Sequence, residues 1–266
     1  PTLSGFRRRG YTADSIHEFA KRVGVTKQSQ LIDISLLEFC LRQDLEVKAA
    51  RRMVVLDPLK VAITNFPEGE VEWYEGPNHP GDESFGNRKV PLTREIYIER
   101  DDFMEEAPRK YFRLTIGREV RLRYACYITA KEIIKDDDGN IIEILAEFDP
   151  ESRGANTEDG RRVKGTIHFV SATENIPLEV RLYDHLFLKE DPEEGGDFIQ
   201  NLNPDSLQVI TAYGEPELKN AQLGDPIQFE RKGYFSIDPD SSEETMVFNR
   251  TVGLRDSWGK KQQQKK

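Results

Sequence analysis

The sequence predicts a mainly β protein, with a small α-helical subdomain at its N-terminal end and two antiparallel β-barrels after it. Apolar residues among the first fifty positions recur with the spacing of amphipathic helices. From Met53 onward, short β-rich runs alternate with turn signals, and little helical pattern separates them. These runs extend over about 200 residues, more than one small barrel usually needs, so we expect two barrels.

The N-terminal helices are defined by their caps and by their apolar spacing. Thr12 can cap the first helix, and Gly24 ends it. A second helix begins at Asp33 or Ser35, either of which can cap it. The apolar positions of the two helices are Ile16, Phe19, Ala20 and Val23, then Leu36, Leu37, Cys40, Leu41 and Leu45. Residues 1–50 are too few to form a stable domain alone.

The predicted strands are short, and turn residues separate them. The β-rich runs are Val71–Tyr74, Glu95–Ile98, Val120–Ile128, Ile141–Phe148, Thr166–Val170, Leu178–Tyr183, Leu207–Ala212, Ile227–Ser236 and Thr245–Asn249. The dipeptide Asp138-Gly139 lies between two isoleucine pairs. It predicts a hairpin, because glycine accepts the positive φ that a tight turn requires.

The composition restricts the class of protein. Lys and Arg number 38 and Asp and Glu 48, and the resulting net charge of −10 disfavours a nucleic-acid partner when taken over the whole chain. No apolar run approaches the ~20 residues of a membrane-spanning helix, and no secretion signal opens the chain. Two cysteines make neither a disulfide framework nor a zinc cluster by themselves. We therefore expect a cytoplasmic protein with no membrane partner and no metal site.

One segment carries a charge opposite in sign to that of the whole chain. Residues 109–123 contain six basic residues and one acid, a charge of +5 in a protein of −10. The basic residues are Arg109, Lys110, Arg113, Arg118, Arg121 and Arg123. Arginine suits bidentate contacts to phosphates and base edges, and Tyr111 can stack on an unpaired base. The alternative, which composition alone favours, is a solvated strand face whose arginines pair with nearby acids.

The alternation of polar and apolar residues predicts how these arginines are arranged. A hairpin around Gly117 with a three-residue loop pairs Arg113 with Arg123 and places apolar residues opposite one another. A two-residue loop would mix the polar and apolar faces. The favoured register gathers Arg113, Arg121 and Arg123 on one outward face.

The common signatures of catalysis are missing from this sequence. The four histidines show neither H-x-x-x-H nor H-E-x-x-H spacing. There is no G-x-S-x-G elbow, Walker A loop or G-x-G-x-x-G. Cys126 lies in an apolar run and is predicted to be a core residue. The residues by themselves favour a binding protein over an enzyme.

Several long motifs follow one another in an order that a known family shares. They are PTLSGFRRRGYTADSIHEFAKRVGVTKQ, RRMVVLDPLKV, GPNHP, YFRLTIGREVRLRYA, RLYDHLF, QFERKGYF and FNRTVGLRDSW. Together they resemble the C-terminal half of bacterial glutaminyl-tRNA synthetase, from Pro1 to about Trp258. The family's catalytic HIGH-like motif and MSK-type loop are not in these residues, so this fragment alone is expected to be inactive as a glutamine–tRNA ligase.

The resemblance implies an architecture for the whole chain. Residues 1–50 correspond to a helical subdomain. Residues 51–175 with 245–258 correspond to a proximal β-barrel, and residues 176–244 to a distal one. Both barrels are ribosomal-protein-L25-like and bind the anticodon in that family. Residues 259–266 are of low complexity and are expected to be disordered.

The resemblance also implies how the anticodon is recognised. Arg51 and Gln228 line a pocket for the middle base, a uridine, and Arg231 lies beside it. Arg113 faces the third base, a guanosine. The first base, a cytidine or modified uridine, is served by two further arginines.

These two are Arg121 and Arg123, which strand parity independently places on one face with Arg113. That agreement favours RNA contact over the solvated face. Further RNA-binding candidates are Lys110, Thr26, Lys27 and Gln28, the last three in a loop that resembles one near the inner corner of the tRNA.

We expect tRNA(Gln) as the partner, and we do not expect the chain to bind DNA. No cofactor is expected in this chain, whereas the parent enzyme uses ATP with Mg and is monomeric. Two alternatives remain open. One is the corresponding portion of a glutamyl-tRNA synthetase with the same barrel type, and the other is a β-barrel module that binds ribosomal RNA or protein.

Overall fold

A computed structural model describes residues 2–28, 30–155, 157 and 159–255. The predicted tail at residues 259–266 lies outside this part of the chain. The described residues form three α-helices and sixteen β-strands. The helices are α1 Leu3–Arg8, α2 Ala13–Val23 and α3 Ile34–Lys48. The strands are β1 Ala50–Arg52, β2 Val54–Val55, β3 Pro58–Ile63, β4 Glu72–Pro77, β5 Asn87–Leu92, β6 Glu95–Glu99, β7 Glu119–Leu122, β8 Tyr127–Lys135, β9 Ile141–Phe148, β10 Thr166–Ile167, β11 Phe169–Ser171, β12 Ile176–Tyr183, β13 Leu207–Gly214, β14 Ile227–Phe229, β15 Gly233–Ile237 and β16 Met246–Gly253.

This architecture confirms the predicted fold class, mainly β with a helical N-terminal part. The strands assemble into two seven-stranded sheets, as expected for two barrels, and one two-stranded sheet. Among the described residues, no helix is long and apolar enough to cross a membrane.

The predicted caps define the ends of two helices. The Thr12 hydroxyl accepts a hydrogen bond from the Ser15 backbone N–H at 3.1 Å and starts α2. Gly24, at φ +74°, follows the last residue of α2. Asp33 rather than Ser35 caps α3, because its carboxylate accepts from the Ser35 N–H at 2.9 Å. The short helix α1 was not predicted.

The chain divides into two compact units, and it passes from one to the other four times. The first unit contains the described residues of 1–50, 179–210 and 221–266. The second contains residues 51–178 and 211–220, again where the structure describes them.

In one of the seven-stranded sheets, β14, β15, β16, β12 and β13 are neighbours in that order. The strand β16 pairs with β15 in antiparallel register, with Asn249 opposite Ser236. This arrangement differs from the expectation that residues 245–258 complete the barrel of residues 51–175. The expectation came from the family resemblance, and the residues of β16 by themselves do not specify which strand it pairs with.

The second unit has its seven strands in the order β10-β7-β8-β9-β3-β6-β11, with β4 and β5 forming a separate hairpin. The pairing is mostly antiparallel as predicted, except that β3–β9 and β7–β10 are parallel. The predicted hairpin at Asp138-Gly139 joins β8 to β9, and Gly139 has φ +84°. Cys126 is completely buried in the core of this unit, as predicted.

A buried carboxylate ties α1 to the strands of the first unit. Asp238 is shielded from water and accepts hydrogen bonds from Arg8 Nε and Nη2, both at 2.8 Å. It also accepts from the Asn249 side chain, and Arg181 Nη1 lies 3.4 Å away. Burial alone raises the pKa of Asp238, but the hydrogen bonds from Arg8 and Asn249 outweigh burial and hold that pKa well below its usual range.

The lowered pKa of Asp238 makes the stability of this unit sensitive to acid. Folding favours the ionised form of Asp238. Its contribution to the free energy of unfolding is therefore complete above the pKa of about 3.9 that Asp has in the unfolded chain, and it is lost as the pH falls below that value. We expect Asp238→Asn to lower the free energy of unfolding at neutral pH by about 1.5–3 kcal/mol. Denaturant titrations of both proteins between neutral and acidic pH should show this difference narrowing below about pH 4. If the free energies of unfolding of the two proteins differed by the same amount at every pH, the lowered pKa of Asp238 would be contradicted.

Gly10 is required for steric reasons in the same unit. It has φ +89°, and a Cβ placed there would lie 2.5 Å from the Ser236 Cβ and 2.7 Å from the Thr251 hydroxyl. Gly24 is a matched control, because it has φ +74° but a Cβ placed there would meet nothing within 4 Å. Thermal unfolding should show that Gly24→Ala costs about 1–2 kcal/mol of backbone strain and Gly10→Ala distinctly more. Equal losses would mean that the Ser236 contact is unimportant.

Candidate nucleic-acid interface

The predicted hairpin of residues 109–123 is wrong. Gly117 has φ +72° and turns the chain tightly, so that Thr115 forms a bridge with Arg118. The Arg118 N–H donates to the Thr115 carbonyl at 3.2 Å, which closes a two-residue loop instead of a three-residue one. Arg113 is therefore not paired with Arg123. The parity argument failed because it assumed that two successive runs must pair with each other.

Residues 119–122 pair elsewhere in the second unit. Strand β7 is antiparallel to β8, with Arg121 opposite Tyr127, and parallel to β10, with Arg121 beside Thr166. The predicted strand at residues 120–128 is interrupted, because the Leu122 N–H donates to the Cys126 carbonyl across a tight turn. Both arginines of this region lie on or next to that turn.

Arg121 lies on the ring of its cross-strand neighbour. Its guanidinium carbon is 5.5 Å from the centroid of the Tyr127 ring, and its Nη2 donates to the Tyr127 hydroxyl at 3.1 Å. Arg161 lies 5.4 Å from the same ring and pairs with Glu119 at 2.9 Å. The Arg121 guanidinium is therefore held in a defined orientation by an aromatic surface.

Arg123 is held in the same way by a different tyrosine. Its guanidinium carbon is 5.0 Å from the centroid of the Tyr124 ring, and its backbone N–H donates to the Ile167 carbonyl at 2.9 Å. Arg88 approaches the same ring at 5.3 Å. Tyr124 has φ +70°, which is uncommon for a residue with a large side chain.

Arg88 is a deeply buried cation near these residues. Its side chain is fully shielded and forms an ion pair with Glu215 at 2.5 Å, and its Nη1 donates to the Pro77 carbonyl at 2.6 Å. Arg52 Nε lies 3.8 Å from the same Glu215 oxygen. A buried guanidinium needs this compensation, because an isolated buried charge is strongly unfavourable.

Arg51 belongs to the same cluster of contacts. Its backbone N–H donates to the Asn78 carbonyl at 2.7 Å, and Arg52 Nη1 donates both to the Arg51 carbonyl and to the Asn78 side chain at 2.7 Å. The structure thus links Arg51 through Arg52 and Glu215 to Arg88, and through Arg88 to the ring that holds Arg123. The residues that we call the arginine cluster are Arg51, Arg52, Asn78, Arg88, Arg123, Tyr124 and Glu215.

Arg113 is held apart from this cluster by acidic neighbours. Its Nη1 donates to the Asp101 carbonyl at 2.8 Å, and its Nε lies 3.3 Å from an Asp102 carboxylate oxygen. The Tyr111 hydroxyl also donates to the Asp101 carbonyl, at 3.2 Å. Lys110 is exposed. The alternative of a strand face whose arginines pair with nearby acids therefore holds in part for Arg113, which pairs with Asp102.

The remaining candidates belong to the first unit. Gln228 is buried on β14 opposite Tyr234, and Arg231 is exposed in the turn between β14 and β15 with φ +68°. The other three candidates, Thr26, Lys27 and Gln28, are exposed in the loop after α2. The Gln28 N–H donates to the Thr26 hydroxyl at 3.1 Å, which gives this loop a local turn.

Sequence reasoning missed the residues that support the arginines. Asn78 lies in the GPNHP motif and Arg52 is adjacent to Arg51, so both could have been singled out by position. Arg88 and Glu215 offered no such signal, because they are 127 positions apart and their pairing depends on tertiary structure.

Among the described residues, no group of three or more His, Cys, Asp and Glu side chains could hold a metal ion. Burial raises the pKa of the Cys126 thiol to about 12, so this thiol is protonated and poorly nucleophilic at neutral pH.

Two family models match this chain, and they share one description: tRNA synthetases class I (E and Q), anti-codon binding domain. The first matches residues 49–149 and the second residues 166–238. The arginine-rich segment and most of the arginine cluster lie within the first match.

Proteins named glutamine–tRNA ligase are similar to nearly the whole chain. The protein of Vibrio vulnificus is 54% identical over 261 residues, which are 98% of this chain and 47% of the relative. The protein of Nitrobacter hamburgensis is 50% identical over 260 residues, 98% of this chain and 46% of the relative. The protein of Photobacterium profundum is 54% identical over 261 residues, with 98% and 47% covered.

The chain thus spans about half the length of these curated relatives. Together the two family matches, residues 49–149 and 166–238, cover most of the chain. The chain belongs to the family of anticodon-binding domains of the class I tRNA synthetases for glutamate and glutamine.

Proposed function

We propose that this chain recognises the anticodon of tRNA(Gln), as part of an enzyme that joins glutamine to that tRNA. The observation that carries the proposal is the pair of arginines whose guanidinium groups lie on tyrosine rings, Arg121 on Tyr127 and Arg123 on Tyr124. A planar guanidinium in a fixed orientation can make bidentate hydrogen bonds to a base edge. The names of the relatives support glutamine as the amino acid.

Each anticodon base is assigned to its own residues in this proposal. Arg121 and Arg123 contact the first base, a cytidine or modified uridine. Arg113 contacts the third base, a guanosine, with Lys110 nearby. Two groups complete the assignment: Arg51 and Gln228 for the middle uridine, with Arg231 beside them, and Thr26, Lys27 and Gln28 near the inner corner of the tRNA.

Discrimination between bases follows from the energetics of hydrogen bonding. Proteins recognise RNA sequence when bases are unstacked and present their pairing edges. A base with the wrong edge leaves a shielded guanidinium without its acceptor, and each such mismatch costs about 1–3 kcal/mol. Meanwhile the net charge of −10 repels RNA in general, so that affinity depends on the local arginines.

The whole enzyme would use ATP with Mg, act as a monomer and work in the cytoplasm. The second candidate is the glutamate enzyme, because the family description covers both E and Q. The relatives that match nearly the whole chain are named for glutamine, which favours tRNA(Gln) as the partner.

Substitution of the assigned arginines should weaken binding selectively. We expect Arg51→Ala and Arg123→Ala to reduce affinity for a tRNA(Gln) anticodon stem-loop by about tenfold or more, the equivalent of one lost base contact. Arg22→Ala is the control, because Arg22 pairs with Glu18 on α2 and is not among the assigned residues. Fluorescence anisotropy with a labelled stem-loop measures all three. Equal losses would refute the assignment.

The salt dependence of binding separates RNA recognition from protein binding. Contacts between arginine and phosphate release counterions, so affinity should fall at least about tenfold when salt rises from about 50 mM to about 200 mM. A stem-loop with one altered anticodon base should bind more weakly at both salt concentrations. An affinity that depends neither on the salt concentration nor on the anticodon sequence would instead indicate a protein-binding module.

A further inference from the structure

Tyr124 occupies a backbone conformation that its own side chain disfavours. At φ +70° it lies in the left-handed region, which is sparsely populated by residues with large side chains. Such a conformation persists only when surrounding contacts hold it. The contacts around Tyr124 bear on function, because this residue supports Arg123, one of the proposed base-contacting residues.

The ring of Tyr124 lies directly against the backbone of β4. A Cβ at Gly76 would be only 2.9 Å from the Tyr124 Cδ2 and 3.0 Å from its Cε2. These distances are too short for non-bonded carbon atoms, so any larger residue would displace the ring. The backbone φ of Gly76 lies outside the positive range, so the glycine is required here by the approach of the ring and not by its own dihedral angles.

Arg88 holds the same ring from the paired strand. It is directly opposite Gly76 in the β4–β5 hairpin, and its guanidinium carbon is 5.3 Å from the Tyr124 ring centroid. Glu215 and the Pro77 carbonyl fix the position of that guanidinium. Because Arg88 is fully buried, it is itself inaccessible to RNA.

Arg123 depends on this arrangement for its orientation. Its backbone is fixed by the hydrogen bond to Ile167, and its guanidinium lies 5.0 Å from the ring that Gly76 and Arg88 hold. A bidentate contact requires the plane of the guanidinium to match the plane of the base edge. Such a contact is lost if the supporting residues allow the group to move by about 1 Å.

We infer that Gly76, Arg88 and Glu215 are positioning residues for anticodon recognition: they hold the Tyr124 ring, and the ring orients the Arg123 guanidinium toward one base. This inference rests on the proposed function. It adds that base specificity at Arg123 depends on three residues that do not themselves contact the RNA.

The decisive variant is Gly76→Ala, which adds one methyl group beneath the ring and leaves Arg123 unchanged. Wild type and variants are compared by anisotropy on four stem-loops: the glutamine anticodon, and one altered at each of the three bases. Arg123→Ala first identifies the base whose discrimination depends on Arg123. Gly76→Ala should reduce discrimination at that same base by about tenfold and leave the other two within about twofold.

Two further variants keep the inference testable. Tyr124→Leu removes the ring without adding atoms at Gly76, and it should lose discrimination at the same base even if Gly76→Ala fails to fold. Gly81→Ala is the matched control, because the nearest atom to its Cβ position is in the His79 ring at 3.7 Å, an ordinary contact. Circular dichroism and thermal unfolding establish which variants are folded.

The outcomes separate the inference from the proposed function. If folded Gly76→Ala and Tyr124→Leu proteins keep full discrimination, or weaken binding equally to all four stem-loops, the positioning role is refuted while the proposed function stands. If the wild-type chain shows no anticodon preference, the proposed function fails, and the inference fails with it.

Discussion

The buried ion pair between Arg88 and Glu215 is the interaction on which the support of the Tyr124 ring depends. Both side chains are almost completely shielded from water, so each charge is tolerable only because the other neutralises it. Removing either partner of such a pair typically costs about 3–5 kcal/mol. The pair joins the β4–β5 hairpin to residues 211–220, and it is the support on which Tyr124, and then Arg123, are placed.

The two non-glycine residues with positive φ in the described chain are Tyr124 and Arg231, and both occur in tight turns that bear candidate base-contacting residues. Tyr124 follows Arg123, and Arg231 is itself a candidate, two positions after the end of β14. Strained backbone conformations cluster at active sites, ligand-binding positions and switch regions. A non-glycine residue with positive φ in a tight turn thus occurs in each of the two units, and the two turns differ in sequence.

The sequence predicted local features well and long-range pairings poorly. Thr12, Asp33 and the Asp138-Gly139 turn act through neighbours a few residues away, so their roles can be inferred from the chain. The hairpin around Gly117 failed, because β7 takes its partners from β8 and β10 instead. The arginine-rich segment was singled out by charge, yet the arrangement of its arginines depends on tyrosine rings that no parity argument could supply. The family resemblance identified the anticodon-binding family, but it did not predict that β16 pairs with β15 in the first unit.

The four passages of the chain between its two units have a consequence for how such a protein can be divided or exchanged. No single cut, and no pair of cuts, releases either unit as one continuous polypeptide. A fragment ending at residue 238, where the second family match ends, would lack β16 and so expose the edge of β15. Limited proteolysis and domain grafting must therefore treat both units together, because neither unit can be removed or replaced as one continuous segment.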